Sequence, residues 1–211
     1  MTAVTLTATH QQTLIDSAIA ADIAAARPYS SVTADDQRLA PFADYQRADG
    51  ILIAVRPPDG TNGRYQLRRD VDRIRKDGST ARYEQPAGGE HRLDVHPRFR
   101  DKLADPSVPL WIGEGIKKGD ALASRGVACV SLGGVECGLT PACIEDWKHI
   151  TIAGRTFIIC FDYDPKQTSP GLGLHIRAVG VAGKTLANRR AQSCFRGHVA
   201  QFSCQPDCKP A

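Results

Sequence analysis

The fold of this chain is decided by residues 108–124, which read VPLWIGEGIKKGDALAS. The compact apolar run at its start, Val108–Ile112, predicts a buried strand that stops just before Glu114. Residues 116–124 then repeat apolar positions at helical spacing, which predicts a helix directly behind the strand. A strand followed at once by a helix is the repeating unit of α/β proteins.

The same pattern continues toward the C-terminus. Residues 127–132 and 156–161 are two further apolar runs, and a helix is predicted between them over 141–149, where Pro141 suits the first helical turn. Continuous apolar strands that alternate with helices indicate a parallel sheet covered on both faces, with right-handed crossovers. The predicted fold class is therefore α/β, a parallel sheet with flanking helices.

A smaller α+β region is predicted ahead of this sheet. Residues 11–26 repeat Leu, Ile and Ala at helical spacing, which predicts one amphipathic helix. Two short runs, 51–55 and 64–68, flank a Pro/Asp/Gly turn and predict a β-hairpin. The basic run Arg68–Lys76 also contains acids, so a solvated strand edge or loop explains it without a ligand. The predicted division is 1–105 for this region, 106–170 for the sheet, and 171–211 for a basic tail of uncertain order.

The composition limits the classes of protein to which this chain can belong. The chain has 211 residues, of which 42% are hydrophobic and 24% charged, as in globular proteins. No stretch approaches the ~18 apolar residues of a membrane span, and no basic residue precedes the apolar N-terminal part. We therefore expect a cytoplasmic protein without a membrane partner, whose seven cysteines are reduced thiols. The tail carries seven Lys or Arg and one Asp from Pro165 onward, which fits either nucleic-acid contact or a solvated terminus.

Acidic residues follow two of the three predicted parallel strands. Glu114 follows the first strand, and Asp162 and Asp164 follow the third. Ligands of such sheets bind beyond the carboxyl ends of the strands, and positions i and i+2 of an extended segment point the same way. Carboxylate oxygens suit Mg²⁺ or Mn²⁺, which can neutralise charge on a transferring phosphoryl group. The sequence thus predicts a magnesium site formed by the three acids, although a strand-end Asp-x-Asp is also a common turn.

Several short motifs carry a family resemblance. Trp111–Leu122 resembles the first motif of Toprim domains, a strand ending in Glu-Gly before a helix. The segment 131–135 (SLGGV) resembles the glycine turn after their second strand, and 161–164 (FDYD) resembles their Asp-x-Asp. Upstream, the segments YQLRRD, RYEQP and LDVHP, at 65–70, 82–86 and 93–97, resemble a Toprim-like domain family of unknown function. That family occurs in primase- and helicase-type proteins of bacteria, plasmids and phages.

The resemblance implies a role in DNA replication or mobile-element maintenance, with DNA as the expected partner and a helicase as a further candidate partner. It implies Glu114 as general acid/base, and Asp162 and Asp164 as Mg²⁺ ligands in a primase- or nuclease-like reaction. Lys117 and Lys118 match the basic pair of the family and are expected either to contact a phosphate or to form a solvated first helical turn. A Toprim sheet normally continues past Asp-x-Asp with a helix of small residues and a fourth strand, whereas residues 171–211 are basic and Cys-rich.

Other functions compete with this interpretation. A shortened Toprim-like module can also serve as a non-catalytic DNA-binding or docking part of a replication complex. The glycines 113, 115 and 119 invite a dinucleotide-binding interpretation, but Glu114 would lie where the phosphates approach and the third glycine is one residue late. Two tail motifs are weaker. One is a partial match to a P-loop at 183–185. The other is a possible set of zinc ligands, Cys194, His198, Cys204 and Cys208.

Overall fold

The computed structural model of the protein describes residues 6–62, 64–134, 137–161 and 199–203. The chain divides into two compact units, one formed by 1–55 with 62–89 and the other by 56–61 with 90–211. In the described parts, no helix is long and apolar enough to cross a bilayer.

The first unit is an antiparallel sheet with two short helices. Its strands are β1 (Tyr29–Val32), β2 (Gly50–Val55), β3 (Arg64–Ile74) and β4 (Thr80–Glu84), hydrogen-bonded in that order. The predicted hairpin is confirmed, because β2 pairs antiparallel with β3 from Gly50–Arg69 to Val55–Arg64. The basic run 68–76 is mostly the outer half of β3. Arg68 and Arg69 still pair with β2, and beyond them the strand pairs with β4, across a bulge between Arg68 and Arg73. The sheet packs on a core cluster of Val32, Leu39, Phe42, Leu52 and Leu67.

The single helix predicted over 11–26 is wrong, because the chain forms α1 (Ala8–Asp16) and α2 (Ala21–Ala26). Ala18 has a left-handed φ of 57° at the break. The N–H of Ile19 donates to the Leu14 carbonyl, and the N–H of Ala18 donates to the Ile15 carbonyl. These two bonds form a Schellman motif, in which the residues at its two ends make an apolar contact. Leu14 and Ile19 are both buried, so burial of this pair ends α1 despite the continuous helical periodicity.

The second unit contains the predicted parallel strands. They are β6 (Leu110–Gly113), β7 (Cys129–Ser131) and β8 (Thr156–Cys160), and β6 lies between the other two and parallel to both. Antiparallel strands flank them, β5 (Asp94–Val95) beside β7 and β9 (Val199–Ser203) beside β8. The α/β class with a parallel core, preceded by a smaller α+β region, is therefore confirmed.

The two predicted helices of this unit cover opposite faces of the sheet. They are α3 (Ile116–Ala123) and α4 (Pro141–Trp147). Alternate residues of β7 show the arrangement, since Val130 lies in the apolar core with Trp147 of α4, whereas Ser131 faces α3. The core combines aliphatic residues of all three parallel strands with Trp147, whose ring meets that of Phe157 edge to face.

The boundary predicted near residue 105 falls inside the second unit. Its segment 90–105 belongs there because β5 pairs with β7 and because Leu93 and Val95 lie in the same core as the parallel strands. The short segment 56–61 joins the same unit, since Asp94 accepts the N–H of Arg56 at 2.7 Å. The division of the remaining chain, including a tail domain at 171–211, stays a prediction.

Candidate functional site

The carboxyl ends of the three parallel strands lie side by side. Gly113, the last residue of β6, is in register with Ser131 of β7 and with Cys160 of β8. Neighbouring strands of a sheet are about 4.8 Å apart, so these three chain ends share one short stretch of the sheet edge. Glu114 is the first residue after β6, the central strand, and its backbone therefore lies at this edge, as the sequence predicts.

Glu114 is half-buried, lies just before α3 and forms an ion pair with Lys118 in the first turn of that helix. Its Oε2 accepts a hydrogen bond from Lys118 Nζ at 3.0 Å, and the side chains are 33% and 46% exposed. An exposed pair at this helical spacing contributes only about 0.3–0.5 kcal/mol. The carboxylate of Glu114 can therefore exchange Lys118 for another cation at small cost.

The backbone around Glu114 is held by close packing of α3 on β7. Ser131 Oγ donates to the carbonyl of Gly115 at 3.3 Å, and the N–H of Gly119 donates to the same oxygen at 3.0 Å. A Cβ at Gly119 would lie only 2.4 Å from Ser131 Oγ, so glycine is what allows the helix this near the strand. The first turn of α3 is thus fixed against β7 immediately after the predicted catalytic residue.

The described residues leave space beside Gly115. Of their atoms, none lies within 4 Å of a Cβ placed on this glycine. On the neighbouring strand, the predicted glycine turn is present, with Gly133 at φ 72° and Gly134 at φ 141°. Positive φ angles of this kind favour glycine and let the chain leave the edge sharply after Leu132, whose N–H still donates to Gly113.

The basic pair lies on the first turn of α3. Lys118 is exposed and pairs with Glu114, whereas Lys117 is half-buried and has partners of its own. Contact of either lysine with a phosphate stays a prediction.

Asp162 and Asp164 lie outside the described residues, so their distances from Glu114 stay predictions. In the described ranges, no group of three or more His, Cys, Asp or Glu side chains is close enough to hold a metal ion. Glu114 is therefore the one member of the predicted ligand set whose position the structure gives. The structure does not describe the partial P-loop match or the four possible zinc ligands of the tail either.

Sequence reasoning assigned no role to the buried polar residues near this edge. Asp94 pairs in register with Ser131 and is 2% exposed, and Asp120 of α3 is completely buried. Asp94 holds the backbone of Arg56, which is a structural function. The signal in the sequence was the segment 93–97 (LDVHP), where Asp94 and His96 alternate with the core residues Leu93 and Val95.

Two of the described cysteines, Cys129 and Cys143, are poor nucleophiles. Cys129, Cys137, Cys143 and Cys160 form no disulfide, as expected for reduced thiols. Burial raises the pKa of the Cys129 thiol to about 12 and that of Cys143 to about 11. Both thiols are therefore protonated at neutral pH.

Comparison with known proteins adds two similarities. Residues 99–202, slightly less than half of the chain, match the model of a domain family of unknown function (DUF3854). No curated protein matches the chain. Among solved structures, the crystal structure of the Aquifex aeolicus primase (zinc-binding and RNA polymerase domains) is similar with a TM-score of 0.56 and 12% sequence identity.

The structural similarity covers 83% of this chain and 46% of the primase chain, so this chain spans about half the length of that structure. At 12% identity the similarity establishes the fold alone. The expected resemblance to primase-type proteins is supported at this level. The chain thus shares an α/β fold with a bacterial primase, and its parallel-sheet unit matches a domain family of unknown function.

Proposed function

We propose that this protein is a Toprim-like, Mg²⁺-dependent nucleic-acid phosphoryl-transfer protein, or an accessory of one, in primase-type DNA replication or mobile-element maintenance. The observation that carries the proposal is the register of β6 with β8, Gly113 opposite Cys160. Glu114 follows the first of these residues directly, and the segment 162–164 (DYD) begins two residues after the second. The fold shared with a bacterial primase supports the same assignment.

The residues at this edge fit a divalent cation of the Mg²⁺ type. Glu114 offers a hard oxygen ligand that is partly exposed and that, among the residues described, pairs with an exchangeable lysine. Asp162 and Asp164 complete the proposed ligand set. When bound, Mg²⁺ would neutralise negative charge that develops on a phosphoryl group.

The protein groups have distinct proposed roles. Glu114 holds or moves a proton at its carboxylate, as a general acid/base, or acts as a ligand of the metal. Once Glu114 has exchanged its partner, the ammonium of Lys118 is released toward the open side of α3, where it and Lys117 can meet a phosphate oxygen. DNA is the proposed partner, a helicase is a further candidate partner, and the proposed location is cytoplasmic.

Metal titration tests the site. We expect Mg²⁺ or Mn²⁺ to give saturable heat in calorimetry, or saturable NMR shifts, with the wild-type chain. The response should be lost in the double variant Asp162→Asn/Asp164→Asn and weakened in Glu114→Gln. Glu145→Gln is the matched control, because Glu145 is an exposed acid of α4 that also pairs with a lysine. An equal response in wild type and the double variant would remove the proposed site.

A second measurement separates the enzyme from a non-catalytic module. If the chain is an enzyme, Glu114→Gln should abolish Mg²⁺-dependent primer synthesis or strand cleavage while DNA binding persists. Wild type that binds DNA but shows no Mg²⁺-dependent reaction would instead identify a binding or docking module.

A further inference from the structure

Tyr45, an exposed tyrosine of the first unit, is distant in sequence from the predicted metal ligands. Tyr45 belongs to a short 3-10 turn, Asp44–Gln46, and is 59% exposed. Large aromatic side chains contribute most when buried, so one held on the surface needs a reason.

The ring of Tyr45 is positioned by a cation. The guanidinium carbon of Arg73 lies 5.0 Å from the ring centroid. Arg73 is itself fixed by Glu84, whose Oε1 accepts its Nε–H at 2.7 Å and whose side chain is only 5% exposed. Since Arg73 covers one side of a ring that is 59% exposed, aromatic surface stays open to solvent.

The turn that carries Tyr45 is rigid. The side-chain amide of Gln46 donates to Glu84 and to the carbonyl of Gln85, and its oxygen accepts the N–H groups of Ala43 and Ala87. Gln46 is 5% exposed. A preorganised aromatic side chain loses little conformational entropy when it binds a partner.

Two further arginines give the turn a positive charge. Arg69 donates to the carbonyls of Gln46 and Val71, and Arg47 donates to those of Phe42 and Ala40. Carbonyl acceptors do not neutralise a guanidinium, and the carboxylate that interacts with Arg69 at longer range, Asp72, is already paired with Arg82. The carboxylate near Arg47 is Asp44, which is 3.4 Å away and 96% exposed, so this pair contributes little.

We propose that Tyr45 is a stacking platform for an unpaired base of single-stranded nucleic acid, with Arg47 and Arg69 facing its phosphates. An open aromatic face beside weakly paired cations is the combination by which proteins bind single strands without reading their sequence. The inference deepens the proposed function by naming the strand that the protein holds, and it rests on that function only in requiring a nucleic-acid partner.

Fluorescence anisotropy of the full chain with a labelled oligothymidylate of about 12 nucleotides tests the platform. We expect Tyr45→Ala to weaken binding at least about fivefold, as loss of one stacked base does. Tyr45→Phe keeps the ring and should bind within about twofold of wild type. Tyr45→Leu keeps apolar bulk without an aromatic face and should bind as weakly as Tyr45→Ala.

Tyr83→Ala is the matched control, because Tyr83 is another exposed tyrosine of the same unit, at 39%. Its affinity should equal that of wild type. Arg47→Gln should reduce the slope of log affinity against log salt by about 0.7, the value for one phosphate contact on a single strand. A duplex of the same length should bind more weakly than the single strand and respond less to Tyr45→Ala.

Several results would overturn the inference. They are wild-type affinity in Tyr45→Ala or Tyr45→Leu, equal losses in Tyr45→Ala and Tyr83→Ala, or no binding of the oligonucleotide by wild type. Melting followed by circular dichroism confirms that each variant is folded. Binding that depends on Tyr45 without any Glu114-dependent reaction would contradict only the proposed catalytic activity, and the reverse result would contradict only the platform.

Discussion

Gly119 lies where α3 touches β7, and the missing side chain allows this contact. A methyl group there would approach Ser131 Oγ to 2.4 Å, well inside normal contact distance, but Ser131 Cβ only to 3.8 Å. The clash is therefore specific to the hydroxyl of Ser131. Since Gly119 and Ser131 both donate to the carbonyl of Gly115, next to Glu114, this contact couples helix packing to the candidate site.

A double-mutant cycle tests this contact. Gly119→Ala alone should lower the free energy of unfolding by about 1–3 kcal/mol, the usual range for overpacking. In a Ser131→Ala background the same change should be neutral or stabilising, because alanine is favoured over glycine in a helix by about 1 kcal/mol. Urea unfolding of the four proteins gives the coupling energy. Equal effects of Gly119→Ala in both backgrounds would show that the hydroxyl is not the obstacle.

Asp59 predicts a pH dependence. Burial alone would raise its pKa, but hydrogen bonds from Thr61 and from Arg92 outweigh burial and lower the pKa to about 2. A carboxyl whose pKa is depressed on folding stabilises the native state above its ordinary value, 3.8, and loses this contribution as pH falls toward 2. Wild type should therefore lose stability between about pH 4 and pH 2 more steeply than Asp59→Asn, measured as urea midpoints. Parallel curves for the two proteins would refute the assignment.

At the scale of elements, the break between α1 and α2 depends on Ala18. A left-handed φ disfavours alanine, and glycine is the common residue at this position of a Schellman motif. Ala18→Gly should raise the free energy of unfolding by about 0.5–1 kcal/mol. The control Ala25→Gly, on the exposed side of α2, should lower it by about 1 kcal/mol. Loss of stability in both variants, seen by thermal melting, would mean that Ala18 is not strained.

At the scale of the molecule, Arg155 joins three segments of the second unit. Its completely buried guanidinium donates to the carbonyls of Leu103, Val108 and Thr151, at 2.8, 3.0 and 2.6 Å, and also to that of Lys102. Val108 precedes β6 and Arg155 precedes β8, so these bonds hold the amino ends of the parallel strands, opposite the candidate site. A lysine ammonium cannot replace the planar guanidinium of Arg155, whose N–H groups reach three segments.

Arg155→Lys should therefore destabilise the protein by about 2–4 kcal/mol, since buried carbonyls lose their donors. Arg125→Lys is the control, because Arg125 is exposed, and it should stay within about 0.5 kcal/mol of wild type. Urea unfolding measures both. The Mg²⁺ response of folded Arg155→Lys should equal that of wild type, and a selective loss of that response would contradict the separation of the two edges.

The sequence by itself determined the α/β class, the three parallel strands, the helices between them and the edge position of Glu114. Local patterns sufficed because buried parallel strands are continuously apolar and are separated by helical periodicity. Tertiary structure alone decided the rest. Burial of Leu14 with Ile19 interrupts the helical periodicity of the N-terminal segment. The strand β5 belongs to the sheet because it pairs with β7, more than 30 residues away. Arg73 contacts the ring of Tyr45 because of the way β3 folds. Such contacts join residues distant along the chain, and their free energy exists only after the chain has closed the loops between them.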